Sequence, residues 1–102
     1  MGSKNKGIHP GTEKMYKVYI LLSLTKLRYY VGHTISLENR LLQHNSGQTK
    51  STRYGIPWKV IWTKDFSTRA EAMKKENEIK KRGIARFLET IKIADSIIQQ
   101  LG

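Results

Sequence analysis

The stretch that decides the fold is residues 16–34, which read YKVYILLSLTKLRYYVGHT. Its first part, Tyr16–Leu22, is a nearly unbroken apolar run rich in β-forming residues, which is typical of a strand buried on both faces. Ser23–Leu27 is a polar connection of hairpin length, and Arg28–Thr34 has the composition of a second strand. The sequence therefore predicts an antiparallel hairpin, in which Gly32 marks a bulge or a close approach to the backbone.

Downstream of the hairpin, the sequence predicts a helix, a loop and a third strand. Ser36 is a good N-cap residue, and the apolar stripe that follows it ends near Gly47, a typical residue just past a helix C-terminus. Residues 48–57 show no periodicity, so they predict an exposed loop. Trp58–Thr63 is rich in β-branched and aromatic residues and predicts the third strand.

The last third of the chain predicts two helices. Thr68–Glu71 has the pattern of a capping box, and the helix that it opens runs to about Arg82, where Gly83 breaks it. A final helix over Ile84–Leu101 has an apolar stripe that either covers the sheet or pairs two subunits, and covering the sheet is favoured. The order β-β-α-β-α-α predicts an α+β fold with a small three-stranded antiparallel sheet flanked by helices.

Length and charge limit the class of protein. A chain of 102 residues has room for one domain and none for a nucleotide-binding module beside a substrate module. Its 19 Lys and Arg against 8 Asp and Glu give a formal net charge of +11, which favours a polyanionic partner. Nucleic acid is the first candidate and an anionic membrane surface the second. No apolar run approaches the ~18 residues of a transmembrane helix, so no membrane insertion is expected.

The N-terminus and the lack of cysteine narrow these possibilities. Residues 1–14 are polar and glycine-rich, typical of a disordered N-terminal extension or a cloning remnant, and residues 15–102 form the predicted single domain. The first segment holds three lysines and one glutamate, so +9 of the +11 falls on the domain. With 0 cysteines, disulfides, thiolate nucleophiles and cysteine zinc sites are excluded, and a cytoplasmic location is expected.

Two pairs of residues are candidates for chemistry. Tyr19 and Tyr30 lie on paired strands, where tyrosines usually pack, and a functional role requires both phenols to converge on one solvent-reachable site. Arg40 and His44 are four residues apart and share a helix face. They form either a solvated surface pair or a phosphate clamp in which arginine grips oxygens and histidine donates or moves a proton.

Glu76 is the third candidate, because helical spacing places this carboxylate near the inward face of its helix. It either pairs with a cation, which is Lys80 one turn later or an arginine at the edge of the core, or has a functional role. A carboxylate, an arginine and two phenols suit phosphodiester hydrolysis, in which an arginine and a divalent cation stabilise added negative charge. One carboxylate suffices for magnesium, whereas the histidines lack zinc-ligand spacing.

These residues together resemble the GIY-YIG endonuclease superfamily. Lys17–Tyr19 stands where the family has its first triplet, with lysine in place of the usual glycine, and Tyr30–Gly32 closely matches the second. Arg40 follows eight residues after the second triplet, His44 comes four residues later, and Glu76 matches the family's metal-binding glutamate. The resemblance extends to the short stand-alone bacterial members and to the N-terminal catalytic domain of the excision nuclease.

The resemblance covers about residues 15–90 and implies metal-dependent endonuclease cleavage of nucleic acid, with DNA the favoured substrate. It implies that Glu76 binds one Mg²⁺ or Mn²⁺ ion and that Arg40 holds the scissile phosphate. Tyr19 or Tyr30 is implied as the general base or as the group that orients the attacking water. His44 is implied as a proton carrier or a phosphate contact.

Further basic residues are expected to border the cleft and to bind the nucleic-acid backbone, namely Lys50, Arg53, Lys74 and Lys75. His33 either faces the site or lies on the outer face. The alternative function is a non-catalytic DNA- or RNA-binding module that acts with a partner protein. A partner could also supply target specificity to a nuclease, and the chain is expected to be a monomer or a weak homodimer.

Overall fold

A three-stranded antiparallel sheet forms the centre of the protein. The computed structural model describes residues 15–101, with the side chains of residues 15–92, so the predicted N-terminal extension lies outside the described residues. The strands are β1 (Tyr16–Ser23), β2 (Tyr29–Thr34) and β3 (Trp58–Phe66), in the sheet order β2-β1-β3. The predicted hairpin is confirmed, because β1 pairs antiparallel with β2 from Lys17 opposite Thr34 to Leu22 opposite Tyr29.

Helices cover the sheet in the predicted order. They are α1 (Leu37–Asn45), α2 (Arg69–Arg82) and α3 (Ile84–Leu101). Ser36 caps α1 by accepting a hydrogen bond from the backbone N–H of Asn39, and Thr68 caps α2 by accepting one from Glu71. Because β-β-α-β-α-α is the observed order, the α+β fold class is confirmed. No helix within residues 15–101 is long and apolar enough to cross a membrane.

The segment between α1 and β3 differs from the prediction. Within the predicted exposed loop, Lys50–Gly55 forms a 3₁₀ helix, here called η1, with Thr52 buried. Trp58 fixes this segment, because its indole Nε1 donates a 2.7 Å hydrogen bond to the carbonyl oxygen of Thr52. The prediction of exposure was therefore wrong for the buried part of η1. The contact with Trp58 buries Thr52, and a sequence without periodicity gives no sign of such a contact.

The sheet separates two hydrophobic clusters, and β1 contributes to both. The cluster toward α2 and α3 consists of Val18, Ile20, Val31, Ala72 and Ile79. The cluster toward α1 consists of Tyr19, Leu21 and Trp58. Burial of each large aliphatic side chain contributes about 1.5–3 kcal/mol, so both faces of β1 stabilise the fold. The first turns of α3 pack on the first cluster, in agreement with the prediction that this helix covers the sheet. The side chains of α3 beyond residue 92 lie outside the described part.

Candidate active site

Gly32 allows two phenols to approach the backbone of β2. It lies directly opposite Tyr19 in the strand register, with no bulge at that position. A Cβ atom at Gly32 would lie 2.7 Å from Tyr19 Oη and 3.1 Å from Tyr30 Cε2. The ring centroids of Tyr19 and Tyr30 are 6.2 Å apart. The close approach predicted at Gly32 is therefore present, and it brings both tyrosines together over the edge strand.

Behind the phenols lies a buried histidine. His44 is 0% exposed, although its helix face was expected either to be solvated or to grip phosphate. Its Nε2 lies 3.0 Å from Tyr19 Oη, and its Nδ1 lies 2.8 Å from Thr52 Oγ1. With both ring nitrogens engaged inside the protein, His44 supports Tyr19 from within and is not placed to contact a phosphate directly.

The pKa values of this pair follow from burial. Burial raises the pKa of Tyr19 to about 12, against the lowering effect of Arg40, so the phenol is protonated at neutral pH. Burial also lowers the pKa of His44, and the positive charge of Arg40 lowers it further. Tyr19 therefore carries its proton while His44 is neutral, which leaves the imidazole able to accept a hydrogen bond from the phenol.

Arg40 lies at the mouth of the site. Hydrogen bonding with Tyr19, with a smaller contribution from Tyr30, raises the pKa of Arg40. Its Nη1 donates a 2.8 Å hydrogen bond to Gln43 Oε1. Arg40 lines a cleft of about 310 Å³, together with Tyr16, His33, Thr34, Ile35, Gln43 and Arg69. Two arginines and a histidine at one cleft make it suited to an anion.

Glu76 approaches from the opposite face of the sheet. Its Oε1 lies 2.6 Å from His33 Nδ1, and its Oε2 lies 2.7 Å from Lys80 Nζ. Burial alone would raise the pKa of Glu76, but the hydrogen bonds from His33 and Lys80 outweigh burial and lower it. The predicted pairing with Lys80 is thus present. His33 faces the site, which decides between its two predicted orientations.

His33 links the two sides of the sheet at its edge. Its ring lines the cleft that contains Arg40, and its Nδ1–H donates a 2.6 Å hydrogen bond to the carboxylate of Glu76 on the other side. The negative charge of Glu76 also raises the pKa of Tyr19, as expected for groups a short distance apart. The structure therefore brings Tyr19, Tyr30 and Arg40 together, and His33 joins Glu76 to the cleft that Arg40 lines.

The donor set around Glu76 fits a single hard cation. Across residues 15–92, no group of three or more His, Cys, Asp or Glu side chains is placed to hold a metal ion. Magnesium needs only one protein carboxylate when waters and substrate oxygens complete its shell. The ionised Glu76 offers Oε2, whose partner Lys80 has a side chain that is 55% exposed. A single carboxylate is compatible with one Mg²⁺ or Mn²⁺ ion, and the binding of that ion at Glu76 stays a prediction.

The four additional basic residues are spread over the surface. Lys50 is exposed, and Arg53 Nε donates a 2.6 Å hydrogen bond to the carbonyl oxygen of Gly47. Lys74 and Lys75 line a separate hollow with Lys64, Phe66, Glu71 and Glu78. The expectation that Lys74 and Lys75 border the cleft of Arg40 is not met, because successive helical residues point about 100° apart and Glu76 faces the sheet. Their binding of nucleic acid stays a prediction.

Two residues at the site, Arg69 and Thr52, were not among those that the sequence predicted. Arg69 opens α2 and reaches the cleft of Arg40, but its position inside a capping box suggested only a helix start. Thr52 contacts His44 from a stretch without periodicity. No pattern in the sequence pointed to Thr52, since its contact depends on the tertiary path of η1.

A family model for the GIY-YIG catalytic domain matches residues 15–86. This match covers well over half of the chain, and the chain belongs to the GIY-YIG family of nuclease-type domains. Among curated relatives, it is similar to a UPF0213 protein from Oceanobacillus iheyensis, with 36% identity over 84 residues, 81% of this chain and 93% of that protein.

Two further similarities concern UPF0213 proteins of other bacteria. One from Streptococcus pneumoniae is 40% identical over 55 residues, which span 53% of this chain and only 56% of that relative. The solution NMR structure of one from Bacillus halodurans is 29% identical, with a TM-score of 0.49 and coverage of 78% of this chain and 84% of that chain.

Proposed function

We propose that this protein is a metal-dependent endonuclease-type domain that hydrolyses phosphodiester bonds of nucleic acid, with DNA as its substrate. The family membership supports a nuclease-type site, and the net charge of +11 supports a polyanionic substrate. The observation that carries the proposal is the convergence at the β2 edge. There, Arg40 lies against the phenols of Tyr19 and Tyr30, while the ionised Glu76 reaches the same cleft through His33.

Arg40 is the group that binds the scissile phosphate. Its guanidinium lines an open cleft, and a planar fork of N–H donors matches phosphate oxygens. Arg69 lines the same cleft and adds positive charge for the flanking backbone. Stabilisation of charge that develops on the phosphate is commonly the largest single contribution to such a reaction.

Exposure distinguishes the two phenols. Tyr30 is half-buried, so water can reach it from the surface, whereas Tyr19 is 1% exposed and engaged with His44. We assign to Tyr30 the orientation or deprotonation of the attacking water. Tyr19 holds Arg40 in place from the interior, with its proton directed to His44.

Glu76 is the ligand that we assign to the metal ion. When bound there, Mg²⁺ or Mn²⁺ supplies positive charge that stabilises the phosphate and activates water. His33 holds the other carboxylate oxygen and so fixes the plane in which Glu76 presents Oε2. Lys80 neutralises that oxygen in the absence of a cation.

One observation favours a second candidate, a non-catalytic DNA- or RNA-binding module that acts with a partner protein. Both carboxylate oxygens of Glu76 are held by cationic or N–H donors of the protein itself, His33 and Lys80. A module that never binds metal would keep this arrangement permanently. The two candidates differ in whether Glu76 is needed for cleavage or only for the fold.

Cleavage of supercoiled plasmid and branched DNA with Mg²⁺ or Mn²⁺ tests the proposal. We expect Glu76→Gln and Arg40→Ala each to lower the rate by about 10²–10³-fold, because the first removes the carboxylate that binds the metal ion and the second removes the cation that binds the phosphate. Glu78→Gln is the matched control, since Glu78 lies on the same helix, is more than half exposed and forms an ion pair with Lys75 instead of with His33 or Lys80.

The outcomes separate the candidates. Cleavage that survives both substitutions means that the site is elsewhere. If the wild-type protein binds DNA in a salt-dependent manner but cuts none of the substrates with either ion, the binding module is the correct function.

A further inference from the structure

η1 carries a buried hydroxyl that the proposed reaction does not use. Thr52 is 1% exposed, and its Oγ1 lies 2.8 Å from His44 Nδ1 and 3.2 Å from the carbonyl oxygen of Thr49. The indole of Trp58 holds the carbonyl of Thr52 from the other side. The hydroxyl is therefore held between a backbone acceptor and an imidazole in a buried position.

The number of available hydrogens decides the direction of every bond in this chain of groups. A threonine hydroxyl has one hydrogen, and the carbonyl of Thr49 can only accept, so Thr52 donates to Thr49 and accepts from His44 Nδ1. A neutral imidazole has one N–H. With that hydrogen on Nδ1, the Nε2 of His44 is a bare acceptor, and the hydroxyl of Tyr19 at 3.0 Å donates to it.

The direction continues to the surface of the site. Because the hydrogen of Tyr19 points to His44, the phenol oxygen presents lone pairs to its other neighbour, the guanidinium of Arg40, which can only donate. In the opposite tautomer, Nε2–H would force the hydrogen of Tyr19 toward Arg40, and two donors would face each other. The orientation of Arg40 therefore depends on which nitrogen of His44 carries its hydrogen.

We propose that Thr52 is a positioning residue that selects the Nδ1–H tautomer of His44 and thereby aligns Tyr19 to accept from Arg40. The hydrogen bonds point one way from Tyr19 through His44 and Thr52 to the carbonyl of Thr49, which leaves the phenol oxygen of Tyr19 as an acceptor for Arg40. Aligned hydrogen bonds in a buried site strengthen one another. The link from this chain to catalysis rests on the proposed nuclease function, whereas the tautomer of His44 does not.

Nuclear magnetic resonance of the ring nitrogens in ¹⁵N-histidine-labelled protein at neutral pH tests the proposal. We expect the wild-type protein and Thr52→Ser to show His44 with a protonated Nδ1 and an unprotonated Nε2. Thr52→Val keeps the shape but removes the hydroxyl, and we expect it to shift His44 toward the Nε2–H tautomer. Thr49→Val is the matched control, because the side chain of Thr49 makes no capping hydrogen bond in η1.

DNA cleavage supplies the second measurement. We expect Thr52→Val to lower kcat by roughly ten- to a hundredfold, since small displacements of a positioned group have effects of that order. KM should change little, and Thr52→Ser should restore kcat.

An Nε2–H tautomer in the wild-type protein, or an unchanged Nδ1–H tautomer in folded Thr52→Val, overturns the proposal. If Thr52→Val does not fold, the ring spectra of the wild-type protein and of Thr52→Ser decide. A tautomer that responds as expected in a protein that cuts no DNA leaves this inference standing and removes only the proposed function.

Discussion

The two sides of the sheet hold their polar groups in different ways. On the α1 side, Tyr19, His44 and Thr52 are at most 1% exposed and are joined by hydrogen bonds between uncharged groups. On the α2 side, Glu76 keeps 14% of its side chain exposed and Lys80 keeps 55%, and they are joined as an ion pair. One side is a buried neutral network, and the other is a partly solvated charged one.

This difference divides the site into two halves. The fixed half consists of Tyr19, His44 and Thr52, and the exchangeable half consists of Glu76 and Lys80. A buried hydrogen bond is expensive to break because neither partner finds water in its place. A partly exposed ion pair exchanges readily, because water and incoming ions replace the lost partner. The α1 side is therefore suited to hold Arg40 still, and the α2 side to release Lys80 when a cation arrives. The predictions below test this contrast.

The largest expected effect is that of Gly32→Ala on the fixed half. The added Cβ would lie 2.7 Å from Tyr19 Oη and 2.9 Å from its Cζ, so the phenol must move away from its place. We expect a loss of about 2–3 kcal/mol in the free energy of unfolding, as for an overpacked core. Chemical denaturation measures this loss.

The control removes Tyr19 Oη, the atom nearest to the Cβ that Gly32→Ala adds. In the double variant Gly32→Ala/Tyr19→Phe, the hydroxyl that the new Cβ would contact is absent. The loss of stability in the double variant should therefore be smaller than the sum of the losses in the two single variants. Simple additivity would mean that the phenol oxygen is not the obstacle and that the fixed half is less rigid than described.

The next effect distinguishes the two phenols. Tyr19→Phe leaves Nε2 of the buried His44 without its donor, and we expect it to destabilise the protein by about 1–2 kcal/mol. Tyr30→Phe, at a half-buried position, should change stability by less than about 0.5 kcal/mol. Both should slow DNA cleavage. Equal destabilisation by the two substitutions would contradict the assignment of Tyr19 alone to the buried network.

The smallest effect concerns the exchangeable half. Lys80→Met removes the ammonium at Oε2 of Glu76 and should tighten Mn²⁺ binding roughly two- to fivefold, the scale of one partly exposed charge interaction. Titration of Mn²⁺ followed by electron paramagnetic resonance measures the change without reference to activity. Lys81→Met removes the same charge one residue away. If both variants bind Mn²⁺ equally, Lys80 does not compete for the carboxylate.

Local signals predicted most of the fold. Ser36 and Thr68 open their helices as their side-chain chemistry indicates, and Gly83 ends α2 with a positive φ of 96°. The apolar run of β1 predicted a strand buried on both faces, which the two clusters confirm. The third strand was predicted too short because its last residues, up to Phe66, are largely polar and exposed.

The site was less predictable than the fold. Spacing within one helix brought Glu76 and Lys80 together as one of the two predicted alternatives, because that contact is local. Contacts between distant segments, such as His33 with Glu76 and His44 with Thr52, depend on how the elements pack. The inward orientation of His44 also followed from packing, since its helix face alone was compatible with solvent.

The central position of β1 has a consequence for slow motions. This strand pairs with β2 along one edge and with β3 along the other, and its residues from Val18 to Leu21 are at most 1% exposed. Opening of either helical layer leaves the backbone amides of β1 bonded on both edges. The hydrogens of these amides should exchange with solvent only when the whole domain unfolds. Their exchange rates should therefore report the free energy of global unfolding.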